Sequence, residues 1–212
     1  MEFNDFLDYI PKITKVTLPS ESAHLKMAPP ERKDLLQNLN IDALNPREAA
    51  VLMLVYPLNG LATLALIKRN SYKGVHSSQV AFPGGKVESF DASILETALR
   101  ETQEEIGIPK NDISIICPFT EIYIPPSNFR VAPFLGYCRH TPIFTPDPRE
   151  VAEMIAFPLQ EFLDDKNLVM NKMATSYSES IDVPAFKAGE NMIWGATAMM
   201  LSELKEVLKA VL

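Results

Sequence analysis

The sequence predicts an α+β fold in which helices pack on a sheet to form a sandwich. In residues 49–68, two apolar runs flank the turn "PLNG", a pattern that is typical of a β-hairpin. Two longer helices are predicted, near residues 92–106 and 196–211. The strands and helices do not alternate in repeated strand–helix–strand units, so an α+β sandwich is favoured over a doubly wound parallel sheet.

The other elements are assigned in chain order. A helix is predicted at residues 3–9, and an apolar stripe after a Pro-Pro pair predicts another within 29–39. Leucines at core spacing support the closing helix over 196–211. Alternating or continuous apolar runs predict strands at 113–124 and 129–138, a strand and a short helix within 149–165, and a hairpin at 183–195.

Length and charge limit the classes of protein. The 212 residues fit one domain, with residues 1–45 as an N-terminal extension that packs on the core. The formal net charge of −7 argues against binding to a nucleic-acid backbone, which requires a basic surface, but permits a small anionic ligand bound through a cation. The longest apolar stretch is too short to span a bilayer, and the N-terminus lacks the apolar region of a signal peptide. We therefore expect a cytoplasmic protein whose two cysteines, Cys117 and Cys138, are buried and reduced.

Three glutamates near the end of the helix over residues 92–106 oppose the usual rules for helices. Glu104 and Glu105 each lie within about 60° of Glu101 around the helix axis. Carboxylates at a helix C-terminus oppose the macrodipole, at about 0.3–1 kcal/mol each, and the Glu101/Glu105 pair adds about 0.2–0.5 kcal/mol of repulsion. A divalent cation would reverse the sign of these energies, and Mg²⁺ prefers carboxylate oxygens, waters and substrate phosphates. With the glycines of "PGGK" upstream, the pattern indicates a site for phosphate and Mg²⁺; a solvated acidic helix face is the alternative.

The segment "GGKVESFDASILETALRETQEEIGI" resembles the Nudix box, the signature of the Nudix hydrolases. Asp91 fills the position of the family's usual first glutamate, and the spacer between Asp91 and Arg100 is one residue longer than the common pattern. The resemblance implies a Nudix-type α/β/α sandwich, with a mixed β-sheet between helices, over residues 46–212. The residues that match the box are Gly85, Arg100, Glu101, Glu104, Glu105, Gly107 and Ile108.

The longer spacer is similar to that of one branch of the family, the coenzyme A pyrophosphatases. Arg69 and the "FPGG" of residues 82–85 match the pattern that precedes the box in this branch. A second arginine of that pattern is replaced by Gly74, and Lys73 is the candidate to supply the missing charge. The segments "YIPPSNFRVAPFLGY" and "MIWGATAMM" also resemble this branch. The resemblance implies hydrolysis of coenzyme A or acyl-coenzyme A to 3′,5′-ADP and a 4′-phosphopantetheine product.

The same resemblance implies roles for individual residues. Mg²⁺ or Mn²⁺ is expected to be held by Glu101, Glu104, Glu105 and the carbonyl of Gly85. Arg100 is expected to orient one of these glutamates. The general base is expected to be either a box glutamate or an acid from another loop, where Glu150 and Glu153 are the candidates by position. The expected catalytic residues are therefore Arg100, Glu101, Glu104 and Glu150. The phosphates of a small-molecule nucleotide are expected to be bound by Arg69, Lys73 and Arg130.

Two other functions remain open at this stage. Hydrolysis of ADP-ribose or a dinucleotide would use the same box with a different substrate pocket. A non-catalytic Nudix domain that binds a nucleotide and regulates a partner is the second alternative, although such domains usually lose box glutamates that this chain retains. A homodimer also remains open, since the segment "SAHLKMAPPER" is expected either to line the substrate pocket or to mediate dimer contacts, and no nucleic-acid or membrane partner is expected.

Overall fold

The computed structural model describes residues 1–29, 32, 40–70, 79–173 and 181–212. Lys73, and the helix predicted within 29–39 apart from Pro29 and Arg32, lie outside these residues. The described helices are α1 (Phe3–Ile13), α2 (Ser20–His24), α3 (Ile94–Ile106), α4 (Leu159–Leu163) and α5 (Gly195–Val211). The described strands are β1 (Arg47–Leu58), β2 (Leu61–Arg69), β3 (Val80–Ala81), β4 (Gly84–Lys86), β5 (Ile113–Pro118), β6 (Ile122–Ile124), β7 (Phe129–Cys138), β8 (Val151–Pro158), β9 (Leu168–Met173), β10 (Ile181–Ala188) and β11 (Asn191–Ile193).

The main sheet is mixed and is organised around β1. Strand β1 pairs in parallel with β7 and antiparallel with β2 and β4. Strands β5 and β6 both pair with β7, and β3 and β8 both pair with β2, all antiparallel. Strands β9, β10 and β11 form a second, antiparallel sheet. The mixed sheet predicted for the fold is therefore confirmed.

Helices cover both faces of the main sheet. Alternate residues of β1 and β7 pack against α3 on one face, where Ala50, Leu52 and Ala132 join Ala98 and Ile106 in one apolar cluster. On the other face, β1 and β2 pack against α1 and α5, where Met53 and Leu64 share a cluster with Phe6, Leu201 and Leu204. Because β1 is covered on both faces, its sequence is a continuous apolar run rather than an alternating one. This arrangement confirms the predicted sandwich.

Two element predictions were wrong in detail. The single strand predicted over 113–124 is interrupted between β5 and β6, since the N–H and hydroxyl of Thr120 both turn away to donate to the buried carboxylate of Glu203. The hairpin predicted at 183–195 exists as β10 and β11, but a third strand, β9, which was not predicted, pairs with β10. Leu168 and Met170 of β9 are both exposed, and the apolar residues of "LVMNKM" do not alternate with polar ones in the way that marks a strand.

The described part of the N-terminal segment packs on the core. Phe3 and Phe6 of α1 are buried, and the N–H of Phe3 donates to the carbonyl of Gly60 in the β1–β2 turn. Met27 and Ala28 are also buried. Within the described residues, no helix has the length and hydrophobicity needed to cross a membrane.

Candidate active site

Helix α3 has a defined start and a defined end. The hydroxyl of Ser93 accepts a hydrogen bond from the N–H of Glu96, which is an N-cap, and the N–H of Gly107 donates to the carbonyl of Gln103 at the other end. The buried residues of the helix include Glu105 as well as the apolar positions. The three glutamates therefore differ in environment: Glu105 is buried, Glu101 is partly buried, and Glu104 is exposed.

Glu105 is held beneath the glycine turn. One of its carboxylate oxygens accepts a 2.8 Å hydrogen bond from the N–H of Gly84, and the other lies 3.5 Å from a guanidinium nitrogen of Arg69. Burial raises the pKa of Glu105 to about 7, although the Gly84 hydrogen bond and the Arg69 charge both act to lower it. A buried carboxylate of this kind is stabilised when a cation lies beside it.

Gly84 and Gly85 allow close approaches that a larger residue would block. A Cβ atom on Gly84 would lie 2.3 Å from the carbonyl oxygen of Ala50, and the φ of Gly84 is +151°, which L-residues rarely adopt. A Cβ atom on Gly85 would lie 2.4 Å from the carboxyl carbon of Glu101. The glycine pair thus lets β4 lie against β1 and lets the Glu101 carboxylate reach the backbone of β4.

Arg100 ties the glutamates to the loop before the helix. Its Nε and Nη2 donate to the two carboxylate oxygens of Asp91, and Nη2 also donates to the carbonyl of Lys86. Its Nη1 donates to Glu101 at 2.8 Å and to Glu104 at 3.0 Å. All five N–H groups of the guanidinium therefore have an acceptor. Arg100 is a positioning residue for Glu101 and Glu104 in this arrangement.

Asp91 serves as the anchor for Arg100. Besides its two contacts with Arg100, its carboxylate accepts hydrogen bonds from the N–H of Glu88 and the hydroxyl of Thr97. These donors, with Arg100 first, hold the pKa of Asp91 well below its usual range. Asp91, at the position of the family's first glutamate, therefore uses its carboxylate to hold Arg100. This agrees with its omission from the expected metal ligands.

The loop that carries Glu150 is fixed to the C-terminal end of α3. The N–H of Thr145 donates to the carbonyl of Ile106, the N–H of Asp147 donates to the carbonyl of Glu105, and the N–H of Glu150 donates back to Asp147. The charge of Glu150 acts on both Glu101 and Glu105 and raises their pKa values, as a smaller effect than burial. Glu153 instead lies on β8, 3.8 Å from Lys68 and half exposed. The fold thus brings Glu150 to the glutamate cluster.

These residues fit a divalent cation by the chemistry of their donors. Glu101, Glu105 and Glu150 supply hard carboxylate oxygens, and Mg²⁺ is commonly bound by one or two carboxylates together with waters and substrate phosphates. Within the described ranges, no group of three His, Cys, Asp or Glu side chains forms a complete metal cage. The contacts explain this: Glu101 and Glu104 are turned to Arg100, and Glu105 is turned to Arg69 and Gly84.

A cavity of about 360 Å³ opens beside the glycine turn. It lies on the face of β1 and β7 opposite to α3, and the residues that line it are mainly apolar. Among the described lining residues, the charged ones are Arg32, Arg69 and Lys86, and all three are cations. A cationic cavity in a chain of net charge −7 favours an anionic ligand. The other principal lining residues are Ala49, Val51, Val80, Ala81, Phe82, Gly84, Gly85, Phe129, Val131, Trp194, Gly195 and Thr197.

The structure brings some of the expected substrate-binding residues to this cavity and not others. Arg69 lines the cavity and contacts Glu105, and its buried Nε has no hydrogen-bond partner among the residues that the structure describes. Arg130 points to the other face of the sheet, where it pairs with Asp42 and Glu48, and it does not line the cavity. Lys73 lies outside the described residues.

Several residues of the cavity were not singled out by sequence reasoning. Lys86 follows the glycine pair directly, and Trp194 lies in the segment "MIWGATAMM", so both had a signal in their motifs. Arg32 ends the segment "SAHLKMAPPER", for which the sequence left open lining of the substrate pocket and dimer contacts, and no motif favoured either role. Tyr123 and Phe129, on either side of the "PPSN" of residues 125–128, are each expected from the sequence either to stack on a nucleotide base or to belong to the core. Phe129 lines the cavity, whereas Tyr123 is buried and its hydroxyl donates to Asn128.

Comparisons with known proteins agree with this geometry. The model of the NUDIX domain matches residues 46–177. The chain is 32% identical over 163 residues to the uncharacterized Nudix hydrolase NudL of Pectobacterium atrosepticum, covering 74% of this chain and 81% of that protein. It is 31% identical over 157 residues to the human mitochondrial coenzyme A diphosphatase NUDT8, covering 73% of this chain and 66% of that protein.

A solved structure supports the fold. The Nudix hydrolase RenU from M. smegmatis superposes with a TM-score of 0.54 at 16% sequence identity, over 79% of this chain and 88% of that chain. At this identity the likeness concerns the fold alone. The match to the domain model, the relatives and the glutamate cluster at the glycine turn together show that the chain belongs to the Nudix family and is a hydrolase of phosphoric anhydrides.

Proposed function

We propose that this protein hydrolyses coenzyme A or acyl-coenzyme A to 3′,5′-ADP and a 4′-phosphopantetheine product, with Mg²⁺ or Mn²⁺ as its cofactor. The observation that carries the proposal is the cavity that opens on Gly84 and Gly85, which has mainly apolar walls and three cations, of which Arg69 contacts the buried carboxylate of Glu105. A substrate with a diphosphate and a long, uncharged chain matches this distribution. The human relative named a coenzyme A diphosphatase and the resemblance of the "FPGG" segment support the same substrate.

In the proposed site, the metal ligands lie at the α3 side of the glycine turn and the substrate lies in the cavity on its other side. Glu101 and Glu105 hold the divalent cation, with Glu104 and the carbonyl of Gly85 as further ligands. When bound, this cation neutralises the diphosphate oxygens and lowers the pKa of a water molecule. Arg100, anchored by Asp91, keeps the Glu101 carboxylate in place.

The remaining residues position the substrate and handle the proton. Arg69 lines the cavity next to Glu105, and its contact with that carboxylate is available for exchange with a substrate phosphate. Glu150 is proposed to accept the proton of the attacking water, because its loop is fixed to the end of α3 beside the other carboxylates. The compartment proposed from the sequence is the cytoplasm.

The experiment is a product analysis with a panel of substrates. Purified protein is incubated with coenzyme A, acetyl-coenzyme A, ADP-ribose, NADH and diadenosine polyphosphates, with and without Mg²⁺ or Mn²⁺, and products are identified by mass spectrometry. We expect metal-dependent release of 3′,5′-ADP from coenzyme A. Cleavage of ADP-ribose or NADH in its place would reject the substrate and retain the reaction, and metal-independent cleavage would reject the proposed site.

Matched variants show whether the proposed residues are responsible. Glu105→Gln removes the buried carboxylate, whereas Glu96→Gln removes a surface carboxylate of the same helix that pairs with Lys110. Turnover is expected to be lost in the first variant and kept in the second. If the chain binds nucleotides but cleaves none of the panel, the non-catalytic alternative replaces the proposal.

A further inference from the structure

One cation of the cavity comes from outside the segment that matches the family. Arg32 precedes residues 46–177, so the domain match assigns it no role. Its residue is only 4% exposed, and its Nη2 donates to the carbonyl of Tyr123 in β6. Arg32 and Pro29 line the same cavity as Gly84 and Gly85. A buried guanidinium at this position is an unusual feature for an otherwise apolar wall.

The chain before Arg32 is fixed to the core by buried polar contacts. The carboxylate of Glu203 in α5 accepts hydrogen bonds from the N–H of Ser20 and from Thr120, and lies 3.3 Å from His24. The hydroxyl of Ser202 donates to the carbonyl of Ala23. Because Met27 and Ala28 are buried as well, the described segment is held on the core as far as Pro29, which lines the cavity.

Arg32 and Arg69 approach the cavity from opposite sides. Arg32 contacts β6, which pairs with β7, whereas Arg69 is the last residue of β2 and contacts Glu105. Strands β1 and β7 lie between β2 and β6 in the sheet. A substrate whose diphosphate lies at Gly84 and Glu105 therefore has Arg69 near that diphosphate and Arg32 across the cavity, where a second anionic group would lie.

We propose that Arg32 binds the phosphomonoester on the ribose of the substrate and makes the site selective for nucleotides that carry this group. The inference rests on the proposed function, since coenzyme A has this phosphate and ADP-ribose and NADH do not. A phosphomonoester offers several oxygens to a guanidinium, which can form two parallel hydrogen bonds with it. Burial keeps salt and water from screening this contact, so its loss is felt strongly.

The test compares coenzyme A with 3′-dephospho-coenzyme A, which keeps the diphosphate and lacks only the phosphomonoester. For Arg32→Gln, the ratio of kcat/KM for coenzyme A to that for the dephospho substrate is expected to fall about 10- to 100-fold, mainly through KM for coenzyme A. Arg32→Lys keeps a charge and is expected to lose less. Lys26→Gln is the matched control, because Lys26 belongs to the same segment but pairs with Glu206 at the surface.

The ratio of the two kcat/KM values distinguishes the loss of a contact with the phosphomonoester from a general loss of folded protein. A variant that folds poorly loses activity on both substrates equally, and so does a variant that has lost a contact with the diphosphate; either result, or an unchanged ratio, overturns the inference. Calorimetry with 3′,5′-ADP and 5′-AMP gives a second readout without catalysis, in which wild type prefers 3′,5′-ADP and Arg32→Gln does not. If wild type cleaves no coenzyme A but shows this preference, the proposed function fails and the inference stands; if it shows neither, both fail.

Discussion

Replacing Gly85 by alanine should disturb the cluster of carboxylates, and so lower the reaction rate, while the stability of the fold stays nearly unchanged. The added Cβ would lie 2.6 Å from both carboxylate oxygens of Glu101, whereas ordinary contact begins at about 3.4 Å. The carboxylate must therefore move by about 1 Å, a displacement that can lower the rate about 100-fold when it affects a group at the reacting centre. The obstructing group is the flexible end of a side chain, and Gly85 does not need a positive φ. The free energy of unfolding should consequently change by less than about 1 kcal/mol.

Gly84→Ala provides the contrast within the same turn. Its Cβ would meet the backbone of Ala50 and Val51 at 2.3 and 2.6 Å, and its φ of +151° is unsuited to alanine. A loss of about 3 kcal/mol or more in the free energy of unfolding is expected. Urea unfolding, Mn²⁺ binding and coenzyme A turnover are measured for both variants. The reasoning is refuted if Gly85→Ala keeps wild-type turnover, or if it unfolds as readily as Gly84→Ala.

Three further predictions concern buried charges. Burial raises the pKa of Glu105 to about 7 from an ordinary 4.5, so the ionisation of Glu105 lowers the stability of the fold as the pH rises. In urea unfolding with EDTA present, the stability of Glu105→Gln relative to wild type should therefore increase from about pH 5 to about pH 8. A difference that stays constant with pH would contradict this. Asp91→Asn weakens the hydrogen bonds that hold Arg100 and should lower kcat about 10-fold with little change in KM. Steady-state kinetics measures both constants, and an unchanged kcat would contradict this role of Asp91. Glu203→Ala leaves His24 without its partner in a buried site and should cost about 3–5 kcal/mol in thermal or urea unfolding, whereas a loss below about 1 kcal/mol would show that the contacts at Glu203 do not hold the N-terminal segment.

The central elements of the fold could be predicted because their signals are local. Helix α3 is bounded by a serine cap and a glycine, and the β1–β2 hairpin is marked by an Asn-Gly turn between apolar runs. Strand β9 lacks such a signal, because it forms through its pairing with β10 and its own residues show no strand periodicity. The break between β5 and β6 also depends on a distant residue, Glu203, whose contact with Thr120 cannot be read from either segment.

The candidate site was predictable to the extent that it is encoded in one continuous motif. The three box glutamates were placed correctly on one helix, but their different burial follows from tertiary contacts: Glu105 is buried against Gly84, whereas Glu104 is exposed and pairs with Arg100. The orientation of Arg130 could have been inferred from strand alternation, since Ala132 on the same face packs against α3. The segment that ends in Arg32 was a candidate for the pocket, but the choice between pocket and dimer contacts could not be made, because the place of Arg32 in the cavity depends on how a separate N-terminal segment docks.

Binding of Mn²⁺ to the metal-free protein, followed by electron paramagnetic resonance, tests the proposed carboxylate site without assuming any substrate. Wild type, Glu101→Gln, Glu105→Gln and the surface control Glu96→Gln are titrated after treatment with EDTA. We expect a bound Mn²⁺ signal in wild type and Glu96→Gln that is weakened at least about 10-fold in affinity in Glu101→Gln and Glu105→Gln. Equal Mn²⁺ affinity in all four proteins would show that the glutamates at the end of α3 do not form the metal site.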